Sequence, residues 1–276
     1  LNAEGVAEQL RIDINKRLQD YIDNASLFFE RGVLDQHYTY SFLRGVQEAM
    51  RLDKVKTGTI QWKPLIDLVV LIKNSGEAKP FNHKARERER FGAWLSSWTG
   101  VHSVITDVLQ ELLKEDDGKF IIDFIKHRND FFEIIDYLLR YPDPEPKDEE
   151  IETATMKTKS SDNNNYLISD PYTMAINTVR GRAFQVFVSF TYNDGKQFSK
   201  DVKVKISDDV KKLYENVLKK EDTRALMFMF GYYLPSFYFC DIDWIRGLLP
   251  QIFPKDLSKK YLYFAAWEGY LANNLY

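Results

Sequence analysis

Cysteine is almost missing from this 276-residue sequence. Cys240 stands alone, so no intrachain disulfide can form, and a reducing compartment fits. In the run Tyr238, Phe239, Cys240 it reads as a small buried hydrophobe. Long apolar runs are lacking too: no stretch reaches the roughly 20 residues a helix needs to cross a bilayer, and the first residues lack the order of a secretory signal. Glycine is not gathered where phosphate chemistry needs it. The 13 glycines are dispersed and form no Walker loop, dinucleotide turn or nucleophile elbow. Charge of one sign is also absent, since 38 Lys and Arg stand against 41 Asp and Glu for a net −3. That balance excludes the broad basic field of a non-specific nucleic-acid binder. The histidines, His37, His83, His102 and His127, lie on separate elements without a partner at metal-ligand spacing and read as structural. We therefore expect no catalytic, metal-binding or cofactor-binding residue, no nucleic-acid or membrane partner, and a cytoplasmic location.

What is present is apolar and aromatic. Hydrophobic residues make up 44% of the chain, with 19 Phe, 16 Tyr and 5 Trp, enough for a sizeable core. Val6, Leu10, Ile14, Leu18 and Ile22 recur every four residues and predict one helix over 3–22. A second helix is expected over 38–52, and Pro64 suits the first turn of a third because it has no amide hydrogen to leave unpaired. Val104, Ile105, Val108, Leu109, Leu112 and Leu113 form the clearest helical stripe. From Phe120 to Leu139 the spacing fits either one helix or two. The alternating Arg and Glu of 84–90 read as a solvated face, the glutamates cancelling most of the positive potential.

Between Pro142 and Asn165 the composition shifts to Pro, Asp, Glu, Lys, Thr, Ser and Asn, as in a flexible linker. This predicts an N-terminal helical segment over 1–141, a linker over 142–165 and a C-terminal helical segment over 166–276. The acidic groups Glu115, Asp116, Asp117 and Asp148, Glu149, Glu150 fall in loops or linker and read as solvated charges. After the linker, Asp170 followed by Pro171 is a helix-start signal. Gly181 costs about 1 kcal/mol against alanine inside a helix, which suggests a backbone passing close by. Asn177 and Arg180 would then bond loop carbonyls or an acid of the adjacent layer. The alternative is that Arg180 and Arg182 present an anion or partner site. Alternation at Val186, Val188, Phe190 and Tyr192 towards Asn193, Asp194, Gly195, resumed at Val202, Val204 and Ile206, also offers a hairpin. Helix is favoured for 171–192, with a short strand near 202–206.

The expected fold class is mostly α, an irregular solenoid-like stack of antiparallel helices with a small hairpin near 184–206 as the alternative. No clean internal period is found. The start at Leu1 and the helical end near Tyr276 read as a piece cut from a longer protein.

Three ordered stretches carry a family resemblance. Asp170, Pro171, Ala175, Ile176, Asn177, Arg180, Gly181 and Ala183 look like a "D-P-x-x-x-A-I-N-x-x-R-G-x-A" helix. Gly231, Leu234, Pro235, then Asp241, Asp243, Trp244, then Phe253, Pro254 follow a "G-x-x-L-P … D-x-x-W … F-P" progression. Ala265, Ala266, Trp267, Tyr270 and Leu271 resemble an "A-A-W-x-x-Y-L" helix, and Trp62, Pro64 a weaker helix start. The pattern resembles the C-terminal helical-repeat regions of large prokaryotic antiviral NTPases of the signal-transduction (STAND) type, and the similar tails of sirtuin-type defence proteins. After Ala183 the sequence departs from the family's aliphatic helix into aromatic and β-branched residues. The resemblance implies a non-catalytic recognition segment behind an NTPase or NAD-cleaving domain, with a viral protein as partner. Asn177, Arg180, Arg182, Asp243, Trp244 and Trp267 are the candidate structural or partner-contact residues. A scaffold that self-associates is the alternative.

Overall fold

The apolar stripes become helices in a computed structural model, which describes residues 3–29, 36–51, 60–75, 97–116, 119–149, 170–198 and 204–274. The fold is mostly α. Two compact units divide the chain, Leu1–Leu138 and Leu139–Tyr276. Among the described residues no helix is long and apolar enough to cross a membrane. The expectations for His83, for the charged run 84–90, for Val202 and for 150–165 lie outside the described residues.

In the first unit, the stripe expected over 3–22 breaks into α1 (Ala3–Ile14) and α2 (Leu18–Asp23), followed by a 3-10 helix at Ala25–Phe29. Only Ile14 and Ile22 of that stripe are fully buried, while Val6 is exposed. A spacing of four on every step drifts around the cylinder, so one straight helix cannot bury all five side chains. α3 (Gln36–Arg51) crosses α1 closely, since a Cβ on Gly45 would stand 2.9 Å from Ile14 Cδ1. α4 (Lys63–Asn74) begins with Pro64 in its first turn, and buried Trp62 donates its indole N–H to the Ile121 carbonyl at 3.1 Å.

The clearest stripe forms α5 (Trp98–Leu112), capped by Ser97, whose hydroxyl accepts from the Gly100 amide at 3.1 Å. Every apolar residue of that stripe is buried. His102, fully buried on α5, donates from Nδ1 to the Trp98 carbonyl at 2.6 Å and accepts at Nε2 from the Tyr137 hydroxyl at 2.8 Å. Burial pushes its pKa down to about 4, so the ring is neutral. A two-residue antiparallel ladder, β1 (Glu115–Asp116) with β2 (Lys119–Phe120), leads to α6 (Phe124–Leu139), a single helix through the polar run 126–130.

In the second unit, the hairpin alternative near 184–206 is overturned in favour of helix. α7 (Pro171–Asn177) and α8 (Val179–Phe198) occupy the stretch, and 204–206 carries no strand. Val186, Phe187, Val188 and Phe190 are all buried, so the apparent alternation belongs to a helix surrounded by core. The Gly195 turn signal has another cause. A Cβ there would lie 2.3 Å from Val204 Cγ1 and 2.8 Å from the Lys205 carbonyl, so glycine lets the returning chain cross the helix. Asp194, buried, accepts from the Ser207 hydroxyl at 2.5 Å.

The remaining helices are α9 (Asp208–Lys219), α10 (Arg224–Tyr232), α11 (Leu234–Cys240), α12 (Ile242–Ile252) and α13 (Lys260–Asn274), the last preceded by a 3-10 turn at Leu257–Lys259. Their core is an aromatic cage. Tyr214 meets Phe237 at 4.7 Å, Phe230 at 4.9 Å and Trp244 at 5.1 Å between ring centroids, and Phe184 meets Phe230 at 4.8 Å.

Candidate functional site

The Asp170 signal operates as written. Its carboxylate accepts from the Tyr172 amide at 3.1 Å and the Thr173 hydroxyl at 3.0 Å, with Pro171 opening α7. Extended backbone at Thr178 then separates α7 from α8. The elbow is tight: a Cβ on Gly181 would lie 1.9 Å from the Ala175 carbonyl oxygen, which only glycine permits. Arg182 closes the elbow by donating from Nε to the Ile176 carbonyl at 2.8 Å. Asn177 donates to the Thr173 carbonyl of its own helix at 2.9 Å rather than to a neighbouring layer.

Arg180 does reach a neighbouring loop and a neighbouring acid. Its Nε donates to the Leu139 carbonyl at 3.0 Å, one terminal nitrogen to the Pro144 carbonyl at 3.1 Å, and the other to Glu221. The Arg180 amide donates to the Asp143 carbonyl at 2.9 Å, and the Val179 amide to the Asp143 carboxylate at 2.9 Å. Arg180 is largely buried, and the Glu221 side chain is completely so. Such a pair persists inside a protein when further hydrogen bonds satisfy its remaining polar atoms. Glu221 meets that condition with its other oxygen, which accepts from the Thr223 amide at 2.8 Å and from the Thr223 hydroxyl.

The same segment is fastened a second time at Glu149. A helical turn over 146–149 carries this carboxylate to the start of α10, where it accepts from the Arg224 and Ala225 amides, each at 2.9 Å. Burial pushes the Glu149 carboxyl up, while those two amides pull the other way. Asp148 is buried as well and accepts from the Glu145 amide at 2.8 Å. Composition placed Asp148 and Glu149 in a solvated linker, and the structure corrects this. These acids satisfy free amides at a helix start, so their charge is consumed by the fold. The side chains at 115, 116 and 117, and Glu150, lie outside the described residues.

Glu221, Glu149 and Asp143 were invisible in sequence because their partners lie 41, 75 and 36 residues away. Thr223 was readable, since a threonine before the apolar run Ala225 to Phe230 is an N-cap signal.

A cavity of about 560 Å³ lies beside Arg180, lined by Tyr141, Pro142, Asn216 and Val217 among others. Arg140, Lys220, Glu145 and Asp222 are all on its wall, so charges of both signs line it. Among the described residues no three His, Cys, Asp or Glu groups come together as a metal site would need.

The other candidates lie apart from Arg180. Trp244 donates its indole N–H to Glu215 at 2.7 Å and packs on Tyr214, with the Lys211 ammonium 5.6 Å from its ring. Asp243 is exposed beside Arg246 at 3.6 Å. Asp241 caps α12 by accepting from the Trp244 amide at 3.1 Å and also takes Lys211 at 2.6 Å. Trp267 is exposed on α13, donates to the Tyr263 hydroxyl at 2.9 Å and leans on Phe253 at 5.1 Å. Cys240 is buried.

No protein-family model, curated protein or solved structure matches the chain.

Proposed function

We propose that the chain is a helical protein-recognition segment of a larger prokaryotic antiviral defence protein, acting in the cytoplasm without catalysis of its own and contacting a viral protein. Support for the family comes from the three ordered motif stretches. Support for recognition comes from how the polar motif residues are used. Asn177, Arg180, Arg182 and Asp241 all hold helix ends and elbows. Among the charged side chains on the surface of the second unit stand exposed aromatic ones. On α11, Phe237 and Cys240 face the core while Tyr238 and Phe239 are exposed, Phe239 by 62%.

That exposed pair is the observation that carries the proposal, because exposed aromatics anchor recognition surfaces. Interferometry of the purified chain against a panel of purified phage proteins tests it. At least one protein is expected to bind, and Phe239→Ser should weaken that binding roughly tenfold with an unchanged melt. Failure of every phage protein to bind would overturn the reading.

A further inference from the structure

α13 has two faces of opposite character. Its inner face, Leu262, Ala265, Ala266 and Gly269, is buried. A Cβ on Gly231 would lie 1.8 Å from the Ala266 carbonyl oxygen, and one on Gly269 2.0 Å from that of Phe228. Asn273 donates to the Tyr232 carbonyl at 2.9 Å. That face is therefore fully committed to α10.

The outer face carries Tyr261, Phe264, Trp267 and Leu271, all exposed, with Phe264 at 53%, and Leu257, 86% exposed, stands in the 3-10 turn just before the helix. A solvated helix should be polar on this side. Instead Tyr261, Phe264, Trp267 and Leu271 follow in steps of three, three and four, which keeps them on one side of the helix.

The row is also self-complementary about Phe264. Leu257 lies seven residues before it and Leu271 seven after, Tyr261 three before and Trp267 three after. Lys260 stands four before and Glu268 four after, opposite charges at mirrored positions. We infer that α13 packs antiparallel on α13 of a second copy, with the two-fold axis at Phe264. Each apolar residue then sits level with an apolar residue, and each Lys260 level with a Glu268, twice over.

The 15-residue helix offers a seam roughly 22 Å long. A strip of that length and of a helix's ~10 Å width covers roughly 220 Å², well below the ~800 Å² per partner of a stable interface, so the dimer is concentration-dependent. The inference is independent of viral recognition, because it needs only this protein.

Sedimentation equilibrium of the whole chain, from low micromolar to several hundred micromolar, tests it. A monomer–dimer equilibrium is expected. Lys260→Glu and Glu268→Lys each place like charges opposite one another and should weaken association roughly tenfold. An equimolar mixture of the two variants restores both ion pairs and should associate like the wild type. Both side chains are exposed, and circular dichroism melts establish that each variant folds. Monomer at every concentration, variants that associate like the wild type, or a mixture no better than its components would each overturn the assignment.

Discussion

Arg180 directs its guanidinium at two carbonyls and a buried acid, and each would lose its donor if the side chain were shortened. Arg180→Ala should therefore cost about 3 kcal/mol, because it leaves Glu221 buried without its cation. Lysine carries its donors on a single nitrogen and cannot reach partners spread around three nitrogens of a planar guanidinium, so Arg180→Lys should recover little of the loss. Chemical denaturation reads both, and a wild-type unfolding free energy in Arg180→Ala would refute the bracing role. Tyr214 presents the opposite case. Among the described residues its hydroxyl, buried in the aromatic cage, has no hydrogen-bond partner, and burial raises its pKa. Tyr214→Phe removes an uncompensated polar group and should leave stability equal or higher by about 1 kcal/mol. His102 supplies a pH signature. Its pKa is about 4 in the fold and about 6.5 in an unfolded chain. The unfolded state therefore binds the extra proton as pH falls from 6.5 towards 4, and stability drops by up to ~1.4 kcal/mol per pH unit over that window. Subtracting the profile of His102→Gln from that of the wild type should isolate this slope, and a flat difference would refute it.

At the scale of elements, two glycines inside helices should respond in opposite senses. A Cβ at Gly181 would collide with the Ala175 backbone, whereas one at Gly247 would meet nothing within 4 Å among the described residues. Gly247→Ala should stabilise by up to about 1 kcal/mol through helix propensity, while Gly181→Ala should destabilise despite the same propensity gain. Equal melting shifts in the two variants would show that the elbow is looser than described. The elbow also shows what was legible. Asp170, Pro171 and Gly181 declare a capped start and a close approach within a few residues, and local chemistry suffices to read them. The fate of 184–206 was not legible locally, because Val186, Val188 and Phe190 satisfy a strand's alternation and a surrounded helix equally well. Packing of Phe184 and Phe187, on the same helix, against Tyr214, Phe230 and Phe237 decides between them, and those partners lie far along the chain.

At the scale of the whole molecule, the mostly α class was readable from helical spacing, whereas the bracing of Arg180 by Asp143 and Glu221 was not. Segment 141–149 illustrates why. Its proline and acid content resembles a linker, yet the acids are held by amides at the start of α10 and the backbone by Arg180. Composition records how polar a segment is, not whether a distant helix end offers donors to match it. The central claim is that polar motif residues hold the second unit together while its exposed aromatic faces make contacts with other molecules. Sedimentation equilibrium of Phe264→Ser beside Arg180→Ala, at a temperature where both remain folded, tests this most directly. The account predicts a monomeric Phe264→Ser and an Arg180→Ala that still dimerises. A dimeric Phe264→Ser with a monomeric Arg180→Ala would contradict it.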